Sequence, residues 1–163
     1  MKMKIGVLSD THLGQVTDEL VDIYDKYLSD KDMILHAGDI ISPEVVHFLG
    51  RKGNFHGVYG NMDPLDVREL LPEKKLIESG PFKLGLIHGW GSSEGLEERI
   101  LTRFQDVDII VYGHSHHAVS HFRDGILFFN PGTAAGYSNE GIHSIGILEI
   151  DDAIHSEIIR LGF

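Results

Sequence analysis

The sequence predicts an α/β fold, a two-sheet mixed β-sandwich flanked by helices. Three observations carry this prediction. The first half of the chain alternates short apolar runs of strand length with amphipathic helical stretches, the pattern of parallel strands joined by crossovers. The second half is richer in strands separated by tight-turn signals, which predicts antiparallel hairpins. Five polar motifs each close an apolar run: Asp10-Thr11-His12, Gly38-Asp39, Gly60-Asn61-Met62-Asp63, His88-Gly89 and Gly113-His114-Ser115-His116. Ligands gather beyond the carboxyl ends of parallel strands, so this shared placement predicts one common site.

The elements follow in order. Residues 4–9 form a first strand closed by Asp10, and Leu20, Ile23, Tyr24, Tyr27 and Leu28 mark the apolar face of a first helix. Residues 33–36 form a second strand. Ser42-Pro43 reads as the N-cap and first residue of a second helix. Val45, Val46 and Leu49 give that helix its apolar face, and Gly53 is its expected stop. Residues 55–59 form a third strand. Asp63-Pro64 opens a short helix that Pro72 ends. Ser79-Gly80-Pro81 joins two strands at 74–78 and 82–87. A helix carrying Leu96, Ile100, Leu101 and Phe104 follows, with Ser92 or Ser93 as the expected cap. Residues 107–112 lead into Gly113-His114. Asp124-Gly125 is a two-residue hairpin turn, and a closing hairpin turns around Asp151-Asp152. No linker, repeat or low-complexity segment interrupts the 163 residues, so a single domain over 1–163 is expected.

Composition narrows the function classes. A chain of this size buries roughly 70% of its surface on folding and can support a core without staples. It has no cysteine, which excludes disulfides, thiolate zinc sites and cysteine nucleophiles. That usage is compatible with a reducing cytoplasm, the expected location. No apolar run approaches the ~20 residues of a membrane span. The formal net charge is -11, from 14 basic and 25 acidic residues. Long nucleic acid, whose binding depends on neutralising many phosphates, is therefore an unexpected partner. Homo-oligomerisation is left open.

The 11 histidines are informative because several fall inside the motifs. Asp10, His12, Asp39, Asn61, His88, His114 and His116 together offer carboxylate, imidazole and amide ligands. That set suits mid-hardness divalent cations. Two such ions about 3.5–4 Å apart can clamp a phosphoryl group during in-line displacement. On extended backbone, Asp10 with His12 and His114 with His116 would each point the same way. Each motif alone also has a plainer explanation. Asp39 could form an Asx-turn before the Ser42 cap. Asn61 could be a left-handed turn residue. Asp63 before Pro64 could be a helix cap, a site residue or both. His36, inside a strand, reads as a hydrogen-bonded structural residue. His117 and His121 read as rim residues, and Asn130-Pro131-Gly132 as a turn that could lie beside the site floor.

The joint order of the motifs resembles the calcineurin-like metallophosphoesterase superfamily, and within it the small YfcE-like phosphodiesterase group. The resemblance covers nearly the whole chain. It implies the metallophosphoesterase fold and a dinuclear-metal hydrolase of small phosphodiesters. One metal would take Asp10, His12, Asp39 and His116. The other would take Asp39, Asn61, His88 and His114, with Asp39 bridging beside a water or hydroxide that attacks phosphorus. Manganese is the first expectation, with nickel, zinc, iron and cobalt as alternatives. Many members carry a histidine directly after the asparagine as proton donor to the leaving oxygen. Here Met62 occupies that place, and Asp63 is the candidate substitute. A phosphomonoesterase or nucleotidase with the same metals is the alternative activity. A protein-binding scaffold on the same fold is disfavoured, because all seven expected ligand positions are filled.

Overall fold

A computed structural model describes residues 2–138 and 141–162. Strands β1 (Met3–Leu8), β2 (Met33–His36) and β3 (Phe55–Gly57) run parallel in one sheet. Strands β4 (Lys74–Ser79), β5 (Phe82–Ile87), β6 (Ile109–Val111), β7 (Val119–Arg123) and β8 (Ile126–Asn130) form the second sheet, and β9 (His143–Ile150) and β10 (Ile154–Leu161) complete the first. The strand orders are β10-β9-β1-β2-β3 and β4-β5-β6-β8-β7. In the second sheet β5, β6 and β8 are parallel, while β4 and β7 pair antiparallel at its edges. This is the mixed two-sheet architecture the sequence predicts.

Strand periodicity explains the layering. Ile5, Val7, Leu35, Leu84, Leu86, Ile109, Val111, Leu127 and Phe129 point between the sheets and form the central core. Their strand neighbours point the other way. Leu8 and Ile34 meet helices α1 (Asp18–Ile23) and α2 (Pro43–Gly50) on the outside of the first sheet. Ile87, Ile110 and Phe128 meet α4 (Leu96–Leu101) on the outside of the second. Strands buried on both faces must be apolar at every position, which is why their sequences read as continuous runs rather than alternating ones.

The local signals mostly act as expected. Ser42 Oγ accepts the N–H of Glu44 at the start of α2, with Pro43 in the first turn. Asp124 and Gly125 both take positive φ, as a primed hairpin turn requires. Three details differ. The first helix changes at Tyr24 into a π-helical turn, Tyr24–Leu28, which apolar spacing does not reveal. Helix α2 ends at Gly50 with Arg51 as its C-cap, so Gly53 lies beyond the stop. Helix α4 is opened by left-handed Gly95 with no side-chain cap, because Ser92 Oγ takes the N–H of Glu94 before the helix begins. Among the described residues, no helix is long and apolar enough to cross a membrane.

Candidate metal centre

All six parallel strands deliver their carboxyl ends to one side of the sandwich. The loop after β1 carries Asp10 and His12, that after β2 carries Asp39, and that after β3 carries Asn61. In the opposite sheet, His88 follows β5, and His114 and His116 follow β6. The seven predicted residues converge there. Asp39 Oδ2 lies 3.2 Å from both His12 Nε2 and His88 Nε2. Asp10 Oδ1 lies 3.3 Å from His116 Nε2 and 3.8 Å from His88 Nε2. Asn61 Oδ1 lies 3.0 Å from His88 Nε2 and 3.2 Å from His114 Nδ1. Ligand atoms of Asp10, His12 and His116 lie within 4.8 Å of one another, as do those of Asp10, Asp39 and His88.

The backbone that achieves this is not the extended one the i, i+2 spacing suggests. Asp10 (φ 53°), His12 (48°), Asp39 (58°), His114 (72°) and His116 (65°) are all left-handed. Each such non-glycine residue costs of order 1–3 kcal/mol and persists only where its surroundings impose it. Part of the imposition is visible: Asp10 N–H donates to Gly38 O and His12 N–H donates to Asp39 O, both at 3.0 Å. The curl also separates the histidine pair. His116 turns to Asp10, whereas His114 turns to Asn61.

Hydrogen bonding fixes which nitrogen faces the centre. His88 Nδ1 donates to Ala37 O at 2.8 Å, so Nε2 is the atom facing Asn61 and Asp39. His114 Nε2 donates to Gly91 O at 2.6 Å, which leaves Nδ1 facing Asn61. Outer hydrogen bonds of this kind set tautomer and ring orientation in metal sites. Asp10 Oδ2 accepts from Ser9 Oγ at 2.6 Å and from His114 N–H at 3.1 Å. His36 is fully buried, and its Nδ1 accepts the N–H of Gly38, so its Nε2–H donates to Thr11 Oγ1 at 3.0 Å. It thereby anchors the residue between Asp10 and His12, and burial pushes its pKa down to about 3. Asn130 donates to Gly113 O and Ser115 Oγ, both at 3.1 Å, and braces the loop bearing His114 and His116.

The same bonds leave an electrostatic problem. Asp10 Oδ1 is buried and has no hydrogen-bond partner among the described residues. A neutral His88 Nε2 would present a lone pair to the oxygens of Asn61 and Asp39, all of them acceptors. Positive charge resolves the conflict. Burial opposes charging His88, but the hydrogen bond to Asp39 and the charges of Asp10 and Asp39 win and raise its pKa to about 9. Burial likewise opposes ionising Asp39, yet His12 and His88 hold its carboxyl well below the usual carboxylate range. A divalent cation held among these groups would supply positive charge in place of the proton.

Asp63 does not cap the helix that follows it. Pro64 is the N-cap of α3 (Leu65–Arg68), which has no side-chain cap bond. The Asp63 carboxylate is buried and accepts three backbone N–H groups: Asp39 at 2.9 Å, Gly60 at 2.7 Å and Ile41 at 2.6 Å. It ties the Asp39 loop to the Asn61 loop. Both oxygens are engaged by these backbone amides, so the cap expectation is not met, and burial raises the Asp63 carboxyl above its ordinary pKa. In Asp63→Asn one of these backbone donors would face an NH₂ group, and an unsatisfied buried donor costs about 1–3 kcal/mol. The variant should lose stability of that order in urea unfolding; unchanged stability would mean that the tie is dispensable.

Two open clefts flank the centre. One of about 260 Å³ runs from Asn61 and His88 between Tyr59 and Trp90, with Arg68 and Glu73 further out. A smaller one of about 130 Å³ lies beyond His116, beside Ser144 and Arg160. The loop carrying Trp90 is held by Arg99, whose guanidinium donates to the carbonyls of Trp90, Ser92 and Glu94. The sequence offers no sign of this brace, because its partners are backbone atoms.

Residues 3–153 match the calcineurin-like phosphoesterase superfamily domain, and the chain belongs to that family. Phosphoester hydrolysis is the activity that membership assigns, and divalent metal ions are the cofactors it implies. Among relatives, a probable metallophosphoesterase of Methanocaldococcus jannaschii is 34% identical, over 98% of this chain and 82% of its own length. A phosphodiesterase of the same organism is 31% identical, over 96% of this chain and 99% of its own. Among solved structures, Entamoeba histolytica Vps29 complexed with zinc superposes with a TM-score of 0.72 at 27% identity, covering 97% of this chain and 99% of that one. The residues present fit such an ion: a buried carboxylate oxygen without a partner and converging imidazole, carboxylate and amide donors of the right chemistry.

Proposed function

We propose that the chain is a phosphodiesterase of small phosphodiesters that works with two divalent cations, manganese first among them. The observation that carries this reading is Asp39 Oδ2, equidistant from His12 and His88. One cation would be held by Asp10, His12, Asp39 and His116, and the other by Asp39, Asn61, His88 and His114. When bound, two such ions acidify a coordinated water toward neutral pH and neutralise charge on the phosphoryl oxygens. The chain's own residues do the rest. His88 and His114 are held in the tautomers that aim lone pairs inward. Asp39 Oδ1 accepts the N–H of Met62 at 2.8 Å, which keeps Oδ2 turned toward the two histidines. The two clefts would receive the two ester groups of a diester.

Leaving-group chemistry separates this reading from a general phosphatase. Met62 has no proton to give, and the oxygens of Asp63 are engaged by amides. A departing alkoxide gains no proton from this loop, so acidic leaving groups are favoured. The test is a series of aryl and alkyl phosphodiesters assayed after metal removal and manganese reconstitution. Rates should fall steeply as leaving-group pKa rises, and phosphomonoesters should be poorer substrates. Chelation should abolish hydrolysis and lower Tm, because a ligand bound only by the native state stabilises it. Full activity after verified metal removal would overturn the mechanism. Monoesters outpacing diesters would favour the nucleotidase alternative.

A further inference from the structure

The cleft between Tyr59 and Trp90 has features that metal-assisted hydrolysis does not need. It is lined by Asn61 and His88, two of the candidate metal ligands, so a group held in it would lie beside a phosphoryl group at the centre. Its walls are aromatic. Trp90 is 39% exposed, although a large apolar ring is normally covered. The Arg103 guanidinium lies over the Trp90 ring at 5.6 Å and is itself held by Glu73 at 3.0 Å. The Arg68 guanidinium lies over the Tyr59 ring at 4.9 Å, fixed by bonds to the carbonyls of Asp63 at 2.7 Å and Asn61 at 3.2 Å. Each ring thus has a guanidinium over one face, and each guanidinium is held by other groups.

We propose that this cleft is a nucleobase subsite, which makes the substrate a nucleoside phosphodiester. This rests on the phosphodiesterase reading and names its substrate class. A base offers a flat π-face for Trp90 and Tyr59, and aromatic stacking accepts any base. Its edge carries both donors and acceptors, which the Glu73 carboxylate and the Arg68 guanidinium complement. The Arg68 guanidinium that lines the cleft also favours a phosphate ester in a chain of net charge -11. A plain alkyl ester would use none of these groups. A plain aryl ester would use the rings but not the polar edge.

Trp90 is the only tryptophan, so its emission reports on this cleft alone. Emission is followed at 295 nm excitation while adenosine 5′-monophosphate, phenyl phosphate or ribose 5-phosphate is added, with and without manganese. The adenosine nucleotide should quench saturably, phenyl phosphate more weakly, and ribose 5-phosphate not at all. Trp90→Ala, with binding followed by calorimetry, should weaken nucleotide affinity by roughly 5- to 150-fold, the measured range for losing one base–aromatic stack. Trp90→Phe should restore most of it, and ribose 5-phosphate affinity should be the same in all three proteins. Equal quenching by phenyl phosphate and the nucleotide would overturn base recognition. Absence of quenching by either would overturn the subsite. Quenching needs no turnover, so it is separable from the parent reading: hydrolysis of bis-aryl diesters without nucleotide quenching sinks only the subsite, and no hydrolysis of any diester sinks the phosphodiesterase.

Discussion

Asp39→Asn is expected to lose at least one of two bound metal equivalents and to lower diester hydrolysis by several orders of magnitude. The substitution removes a negative charge placed 3.2 Å from both His12 and His88. Geometry makes it worse than a simple neutralisation. Asp39 Oδ1 accepts the N–H of Met62, so the asparagine would put its carbonyl oxygen there. Its NH₂ would then point at the centre and offer hydrogens where cations need lone pairs. Elemental analysis after dialysis against manganese, paired with an aryl diester assay, checks both parts. Two retained equivalents would reject the bridging role of Asp39.

Gly60→Ala should be nearly as damaging, although glycine carries no chemistry. A methyl group at this position would stand 2.3 Å from Asp39 Oδ1, 2.7 Å from the His88 ring and 2.8 Å from the Asp39 backbone nitrogen. Backbone cannot swing aside as a flexible side-chain end can, so the Asp39 loop must shift. A misplacement of about 1 Å at a reacting centre costs on the order of 100-fold in rate. Strain from forcing extra atoms into a packed interior adds about 1–3 kcal/mol of destabilisation. Diester kinetics and thermal unfolding of Gly60→Ala should show both losses. Wild-type kinetics would mean that the site tolerates movement between Asp39 and His88.

How far the sequence reveals this molecule depends on the kind of signal. The sheets are legible because every parallel strand is an apolar run cut off by a polar motif, and strand ends are where the motifs must lie. The seven candidate ligands are legible because their residue types are unusual at such positions. Asp63 misleads, since Asp-Pro is also how a helix begins, and the amides it binds belong to Asp39, Ile41 and Gly60, two of them distant in the chain. The curled backbone at Asp10 and His12 is hidden as well, because left-handed φ at aspartate and histidine is imposed by neighbouring strands rather than by local preference. Arg99 and its carbonyl partners are hidden for the same reason, as main-chain acceptors have no residue type.

The centre straddles two sheets, and its candidate ligands come from both halves of the chain. Asp10 takes a hydrogen bond from His114, 104 residues away, and His88 donates to Ala37 across 51. A nascent chain on the ribosome therefore has only the three parallel strands β1, β2 and β3 and four of the seven candidate ligands before the second sheet begins, and the set is complete only when His116 has emerged. Cation capture would come late in biogenesis, after the largest loops have closed and their entropy has been lost. A bound ion would then act as a latch between the two sheets, slowing their separation more than it speeds their meeting. Metal supply would set how long a finished molecule lasts, and a starved cell would hold copies that open more often to proteases.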